Sequence, residues 1–233
     1  MVPPVIIDPR LDEECIRNLE YHGFGVIAVP LTDLVAEPVC GHPDMQLFVH
    51  EKNLFVHPGI DKQFIKSIER YVNVIQCTTK LQKDYPYDIP YNIALVGNFA
   101  IHRKNFTDKT IHDYLLDKGI TIVDAKQGYA KCSTLIVDNK SIITSDKSIS
   151  DAAKRAGIDS LLISNNFIDL PGYDYGFIGG ACGVYGDTIY ITGSIDHHPN
   201  KNEIESFIES RNMRLKILSS KRIMDVGSLF FIG

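Results

Sequence analysis

The chain has 233 residues, 44% apolar and 23% charged, which is the make-up of a globular protein rather than a disordered or fibrous one. Its formal net charge of −5 argues against the basic face that phosphate contacts need, so no nucleic-acid partner is expected. No apolar run reaches the ~20 residues of a membrane-spanning helix, and five scattered cysteines (Cys15, Cys40, Cys77, Cys132, Cys182) without a C-x-x-C pair point to reduced thiols in a cytoplasmic, membrane-free protein.

In chain order, MVPPVIIDPRLDEE has neither a basic region nor a long apolar core, so no signal peptide is expected. VIID reads as a strand, LDEECIRNLEYHG as a helix and FGVIAVP as a strand. A recurring block follows. DMQLFVHEKNLFVH predicts two strands and a tight turn, DKQFIKSIER a helix and YVNVIQ a strand. The block returns at Asn92 (NIALVGNFAIH, TDKTIHDYLLDKG, ITIVDA), at Cys132 (CSTLIVDNKSIITS, DKSISDAAKRAG, IDSLLIS) and at Cys182 (CGVYGDTIYITG, NKNEIESFIESRN, MRLKILS). Gly97-Asn98, Asp138-Asn139 and Gly186-Asp187 suit hairpin turns, and the helices start at Asp, Ser, Thr or Asn. A fifth start at Asp225, in DVGSLFFIG, supplies only a strand, and the N-terminal strand–helix–strand completes it. The sequence therefore predicts an α/β fold in one domain, 1–233, with units at about 42–78, 91–125, 131–165, 181–219, and 224–233 plus 5–30. A ring closed in this way buries every unit's apolar face against a neighbour.

A five-fold ring of ββαβ units sharing its last unit between the two termini resembles the pentein, or α/β-propeller, superfamily. That group includes arginine and agmatine deiminases, dimethylarginine dimethylaminohydrolases and amidinotransferases, and a ribosomal anti-association factor that binds without catalysis. The resemblance implies that residues at the unit starts converge on the mouth of a central channel: Asp44 with His42 before it, Asn92, Cys132, Cys182 and Asp225. It casts Cys132 as nucleophile, His42 as acid–base group, and Asp44, Asn92, Asp225 and Cys182 as substrate-binding positions. The family's cysteine usually lies near the C-terminus, so Cys132 in mid-chain implies a ring opened at a different point. The Cys182 position lacks the carboxylate expected there, and Cys182 stands as a rival nucleophile.

The implied function is hydrolysis of, or amidino transfer from, a small cationic guanidino or amidino substrate through a thiouronium-type intermediate, with no cofactor and no metal. The alternatives are a non-catalytic binding protein of the same fold and an enzyme on another amide or amidine. Each residue also has a plainer reading: Cys132 as inert packing, Asn92 as a loop bond, Asp225 as an ion-pair partner of Lys221-Arg222. His57, His102 and His197-His198 read as solvated loop histidines rather than a zinc set. The loop 79–91 offers Asp84, Tyr87 or Asp88 as a lid, and the preceding loop Asp33 or Glu37 as a further carboxylate. Oligomeric state is left open.

Overall fold

Five three-stranded sheets make up the described residues, 4–232, of the computed structural model. The first unit pairs Leu47–His50 antiparallel with Asn53–Val56, which runs parallel to Asn73–Gln76 after the helix Lys62–Ile68. The second repeats this with Ala94–Val96, Phe99–His102 and Thr121–Asp124 around Lys109–Asp117. The third uses Thr134–Asp138, Ser141–Thr144 and Asp159–Leu162 around Lys147–Arg155. The fourth uses Cys182–Tyr185, Thr188–Ile191 and Arg214–Ile217 around Lys201–Glu209. In the fifth, Val5–Ile7 pairs antiparallel with Phe230–Phe231 and parallel with Val26–Ala28, so the two ends of the chain share one sheet. The expected last residue, Gly233, and residues 1–3 lie outside the described residues.

Local chemistry sets these elements. Asp12, Asp61, Asp108 and Asp146 each accept a backbone N–H of the first helical turn, filling donors that a helix leaves open. The apolar faces then pack between units rather than within them. One cluster joins Met45 and Phe55 of the first unit to Tyr91 and Ile111 of the second. Others join Ala94 to Ile142, Leu135 to Ile189, and Tyr190 to Val5, and the last returns from Ile6 to Leu47. The succession closes on its starting unit, which is the pentein arrangement.

Three histidines expected in solvent are buried instead: His57, His102 and His198. His57 directly follows the strand Asn53–Val56 and His102 ends the strand Phe99–His102, whereas His198 lies in the turn before the helix Lys201–Glu209. His57 and His198 accept the N–H two residues on through Nδ1, and His102 bonds Thr107 and the Ile89 carbonyl. Burial lowers the pKa of His57 and His102 to about 4. They belong to separate units, and no metal-binding group of side chains occurs among the described residues.

Candidate functional site

The segments that precede the first strands form irregular turns, and these carry the polar residues. Cys132 lies in a turn two residues before Thr134–Asp138, where Ser133 N–H bonds Tyr129 O. Asn92 holds that turn from the second unit. Its Oδ1 accepts Lys131 N–H (2.7 Å) and Cys132 N–H (3.2 Å), while its Nδ2 donates to Cys132 Sγ (3.0 Å) and to the Asp44 carbonyl (3.2 Å). One buried amide thereby links three units and points an N–H at the sulfur.

His42 precedes the short helix Pro43–Gln46, and its side chain lies against Gly227. Gly227 has φ +68°, and a Cβ there would overlap the His42 side chain, so only glycine fits both the backbone and the packing. His42 Nδ1 is 3.8 Å from Asp225 Oδ1 and Nε2 is 4.0 Å from Asp8 Oδ2. Both distances exceed hydrogen-bond length, and Nδ1 has no partner. Asp8 is taken up by Arg10, whose guanidinium grips both carboxylate oxygens at 3.0 and 2.7 Å.

Two further carboxylates are buried beside the sulfur. Asp225 Oδ2 accepts Phe177 N–H (2.9 Å) and its Oδ1 accepts Gly227 N–H (3.0 Å). Asp44 Oδ2 accepts the Ser228 hydroxyl at 2.6 Å, and Asp44 Oδ1 has no partner. Burial first, with Asp44 adding and His42 opposing, raises the pKa of Asp225. Burial, then the charges of Asp44 and Asp225, push the Cys132 thiol well above its ordinary value, against the pull of the Asn92 N–H.

Cys132, His42 and Asp225 line one cavity of about 240 Å³ whose remaining walls include Met45, Tyr129, Tyr173 and Phe177. Asn92 and Asp44 stand immediately behind it through the bonds above. Cys182 does not share this place. It is the first residue of its strand, paired with Ile191, and lines a second cavity with Lys131, Phe48 and Phe230. The residue two positions before that strand is Gly180, the counterpart of Cys132. A Cβ on Gly180 would overlap the Asp225 carboxylate, so the missing side chain makes room for Asp225. The expectation that Cys182 opens its unit as Cys132 does is corrected by this two-residue offset.

Among the loop candidates, Asp33, Glu37, Asp84 and Tyr87 are exposed, and Asp88 alone turns inward, accepting the Tyr129 hydroxyl at 2.6 Å. Sequence reasoning missed Asp8, Ser228 and the aromatic segment Tyr173–Phe177. The glycine-rich GFIGGACG hinted at a wall but not at which residues form it.

A family model described as "Family of unknown function (DUF6873)" matches residues 6–230. No curated protein matches the chain. Solved structures show the same fold at low identity. Dimethylarginine dimethylaminohydrolase (DDAH) from Pseudomonas aeruginosa, complexed with citrulline, is 10% identical with TM-score 0.52, covering 94% of this chain and 93% of that one. An amidinotransferase of the saxitoxin biosynthetic pathway from Microseira wollei is 10% identical with TM-score 0.52, covering 94% and 88%. Agmatine deiminase from C. jejuni is 9% identical with TM-score 0.53, covering 92% and 74%. Against a substrate-bound form of that deiminase the chain spans 62% of the other's length. These neighbours are guanidino-modifying enzymes.

Proposed function

The chain belongs to the family of unknown function DUF6873, and on that premise we propose that it is a cysteine-dependent enzyme acting on a small guanidino or amidino cation. The reading is carried by one observation: Cys132, His42 and Asp225, from three different units, line one small cavity, with the partnerless Asp44 Oδ1 and His42 Nδ1 buried at the same place. Orphaned buried polar atoms are costly, and a ligand that satisfies them recovers that cost. A guanidinium offers planar N–H donors to Asp44 and Asp225. Its charge also offsets the two carboxylates that add to burial in raising the Cys132 thiol, so binding favours the thiolate.

In the proposed reaction the Cys132 proton passes to His42 and the thiolate attacks the guanidinium carbon, forming a C–S bond. His42 returns the proton to the departing nitrogen as the C–N bond breaks, releasing ammonia or an amine and leaving a thiouronium. Water then adds, His42 accepts its proton, and the C–S bond breaks to give a ureido product and free Cys132. An acceptor amine in place of water gives amidino transfer. The similarity in fold to deiminases and an amidinotransferase supports this kind of chemistry.

The test is incubation with agmatine, arginine and methylated arginines, assayed for ammonia, amine and ureido product, with mass spectrometry of the Cys132 adduct. A Cys132-linked adduct with turnover is the expected result. Binding without turnover or adduct would favour a second reading, a non-catalytic binding protein, which the protonated state of Cys132 in the empty cavity also suits.

A further inference from the structure

A second cavity, of about 290 Å³, lies along the first strands toward their hairpin turns and shares no lining residue with the Cys132 cavity. Strand register explains its walls. Val49 pairs with Leu54 and, through it, with Val74. Leu95, Ala100 and Ile122 repeat this triple in the second unit, and Ile136, Ile142 and Ser160 in the third. Val184, Ile189 and Leu215 repeat it in the fourth, and Phe230, Ile6 and Ile27 in the fifth. Val49, Leu95, Ile136, Val184 and Phe230 are thus one position seen five times, on the same face of each first strand. All five are half-buried and all line this cavity. The ring closes an apolar collar here, with one side chain from each unit.

One end of the collar carries a charge. Lys131 Nζ donates to Ser228 Oγ at 2.8 Å and to the Gly179 carbonyl at 3.2 Å, and it stands 5.6 Å from the centre of the Phe230 ring. Gly179 and Ser228 both precede the first strands of their units, so the ammonium sits at the end nearer the Cys132 site. Among the described residues its third N–H has no acceptor and no carboxylate stands within ion-pair distance. Its link to Asp44 passes through the neutral Ser228 hydroxyl. The other titratable groups in the lining do not balance it. Burial holds the Cys182 thiol protonated. His50 Nδ1 meets the Tyr114 hydroxyl, and burial lowers its pKa. Glu51 lies in the hairpin turn, exposed and bonded to Lys118. A half-buried ammonium without a paired anion, set against an apolar collar, suits an anion that carries an apolar body.

We propose that the collar binds a small monocarboxylate with an aliphatic body. The carboxylate meets the open N–H of Lys131, and the body lies against the five apolar side chains. This assignment is independent of the guanidino reading of the Cys132 cavity.

The experiment is calorimetric titration of the full chain with hexanoate, hexan-1-ol and acetate. Hexanoate should bind one to one, at least about tenfold more tightly than the alcohol, which lacks the charge, and than acetate, which lacks the body. Lys131→Met should bring hexanoate to within about twofold of hexanol while hexanol itself binds as in the parent, which also shows that the collar is intact. Val184→Trp fills the collar and should weaken hexanoate at least about tenfold with Lys131 in place. Absence of saturable hexanoate binding at millimolar concentration, equal affinity for hexanol or acetate, or an affinity unchanged in either variant overturns the proposal. Should Lys131→Met lose hexanol as well, the parent's own hexanoate-to-hexanol ratio and the Val184→Trp result decide.

Discussion

Cys132 and Cys182 stand two residues out of register in neighbouring units and are both buried, yet their surroundings differ in character. Cys182 is packed among Ile178, Ala181, Leu135 and Ile191, and burial, only partly offset by Lys131, raises its thiol to about 12. Cys132 belongs to none of the five apolar clusters and faces Asn92, Asp44 and Asp225. Burial is the first cause of both raised thiols; at Cys132 the charges of Asp44 and Asp225 add to it, while at Cys182 Lys131 opposes it and Asp225 adds less. An apolar wall cannot be neutralised by a ligand, whereas two carboxylates can, so the Cys132 thiol is the more open to switching by a bound cation. Burial alone does not separate a nucleophile from a packing residue; the sign of the neighbouring groups does.

The largest effect expected from this contrast is on turnover. Cys132→Ala should lower it by about 10⁴-fold or more, as loss of a covalent nucleophile does. Cys182→Ala should leave kcat/KM within about threefold while costing about 1 kcal/mol of stability by opening a small core cavity. Ammonia release and thermal unfolding of both variants decide the assignment, and the opposite pattern would exchange the roles of the two cysteines.

A smaller but still large effect is expected at Gly180, which holds in the fourth unit the place that Cys132 holds in the third. Gly180→Ala forces its new methyl against the Asp225 carboxylate. Displacing a group that positions substrate by about 1 Å costs on the order of 100-fold in rate. The variant should lose kcat/KM by about that factor, and a rate within twofold of the parent would show that Asp225 does not position the substrate.

The pH dependence of alkylation separates the two thiols more gently. Raised thiol pKa values mean that labelling of either cysteine in the empty protein increases with pH into the alkaline range. Asp225 is one of the charges lifting the Cys132 thiol, so Asp225→Asn should shift the Cys132 profile toward lower pH. At a fixed pH near 8 its iodoacetamide labelling should be several-fold faster, because removing a neighbouring negative charge favours the thiolate. Methylguanidinium should shift the parent protein in the same direction if it binds beside the sulfur without blocking the reagent. Asp225 also lifts the Cys182 thiol, against Lys131, so the Cys182 profile should move in the same direction but less, and equal shifts at the two cysteines would remove the distinction between them.

Much of the architecture was legible because the first four units repeat the same local signals: a two-residue hairpin turn, an aspartate or asparagine at the helix start, and apolar residues every three to four positions. The split fifth unit could be read from a lone strand at Asp225 and a strand–helix–strand at the other end. The site was less legible because it depends on side chains that meet only through the ring. Nothing in IIDPRL says that Asp8 lies 4.0 Å from His42, or that Gly41 leaves room for its carboxylate. Ser228, with a left-handed φ of 75°, reads in VGSLFF as an ordinary strand approach. Cys182 was misplaced because Gly179-Gly180 carry the chain closely past Lys131, Thr134 and Asp225, and the strand takes up its ladder two residues later. Equal spacing of unit starts cannot register an offset of that size.

The smallest expected effect concerns the connection between the two cavities. Lys131 Nζ donates to Ser228 Oγ at 2.8 Å and to the Gly179 carbonyl at 3.2 Å, and Ser228 donates to Asp44 Oδ2 at 2.6 Å. A hydrogen-bonded chain thus runs from an ammonium on the Cys182 side to a carboxylate on the Cys132 side. Lys131→Met keeps much of the aliphatic stem and removes the charge, leaving Asp44 with the Ser228 hydroxyl but no cation behind it. Turnover should fall about three- to tenfold, with about 1 kcal/mol of stability lost. Ser228→Ala should act in the same direction by removing the Asp44 partner itself. If the two residues work as one chain, the double variant should lose little more activity than the worse single variant, since coupled groups are not additive. Multiplying losses would instead show that the ammonium and the carboxylate act separately, and that the two cavities share a wall without sharing electrostatics.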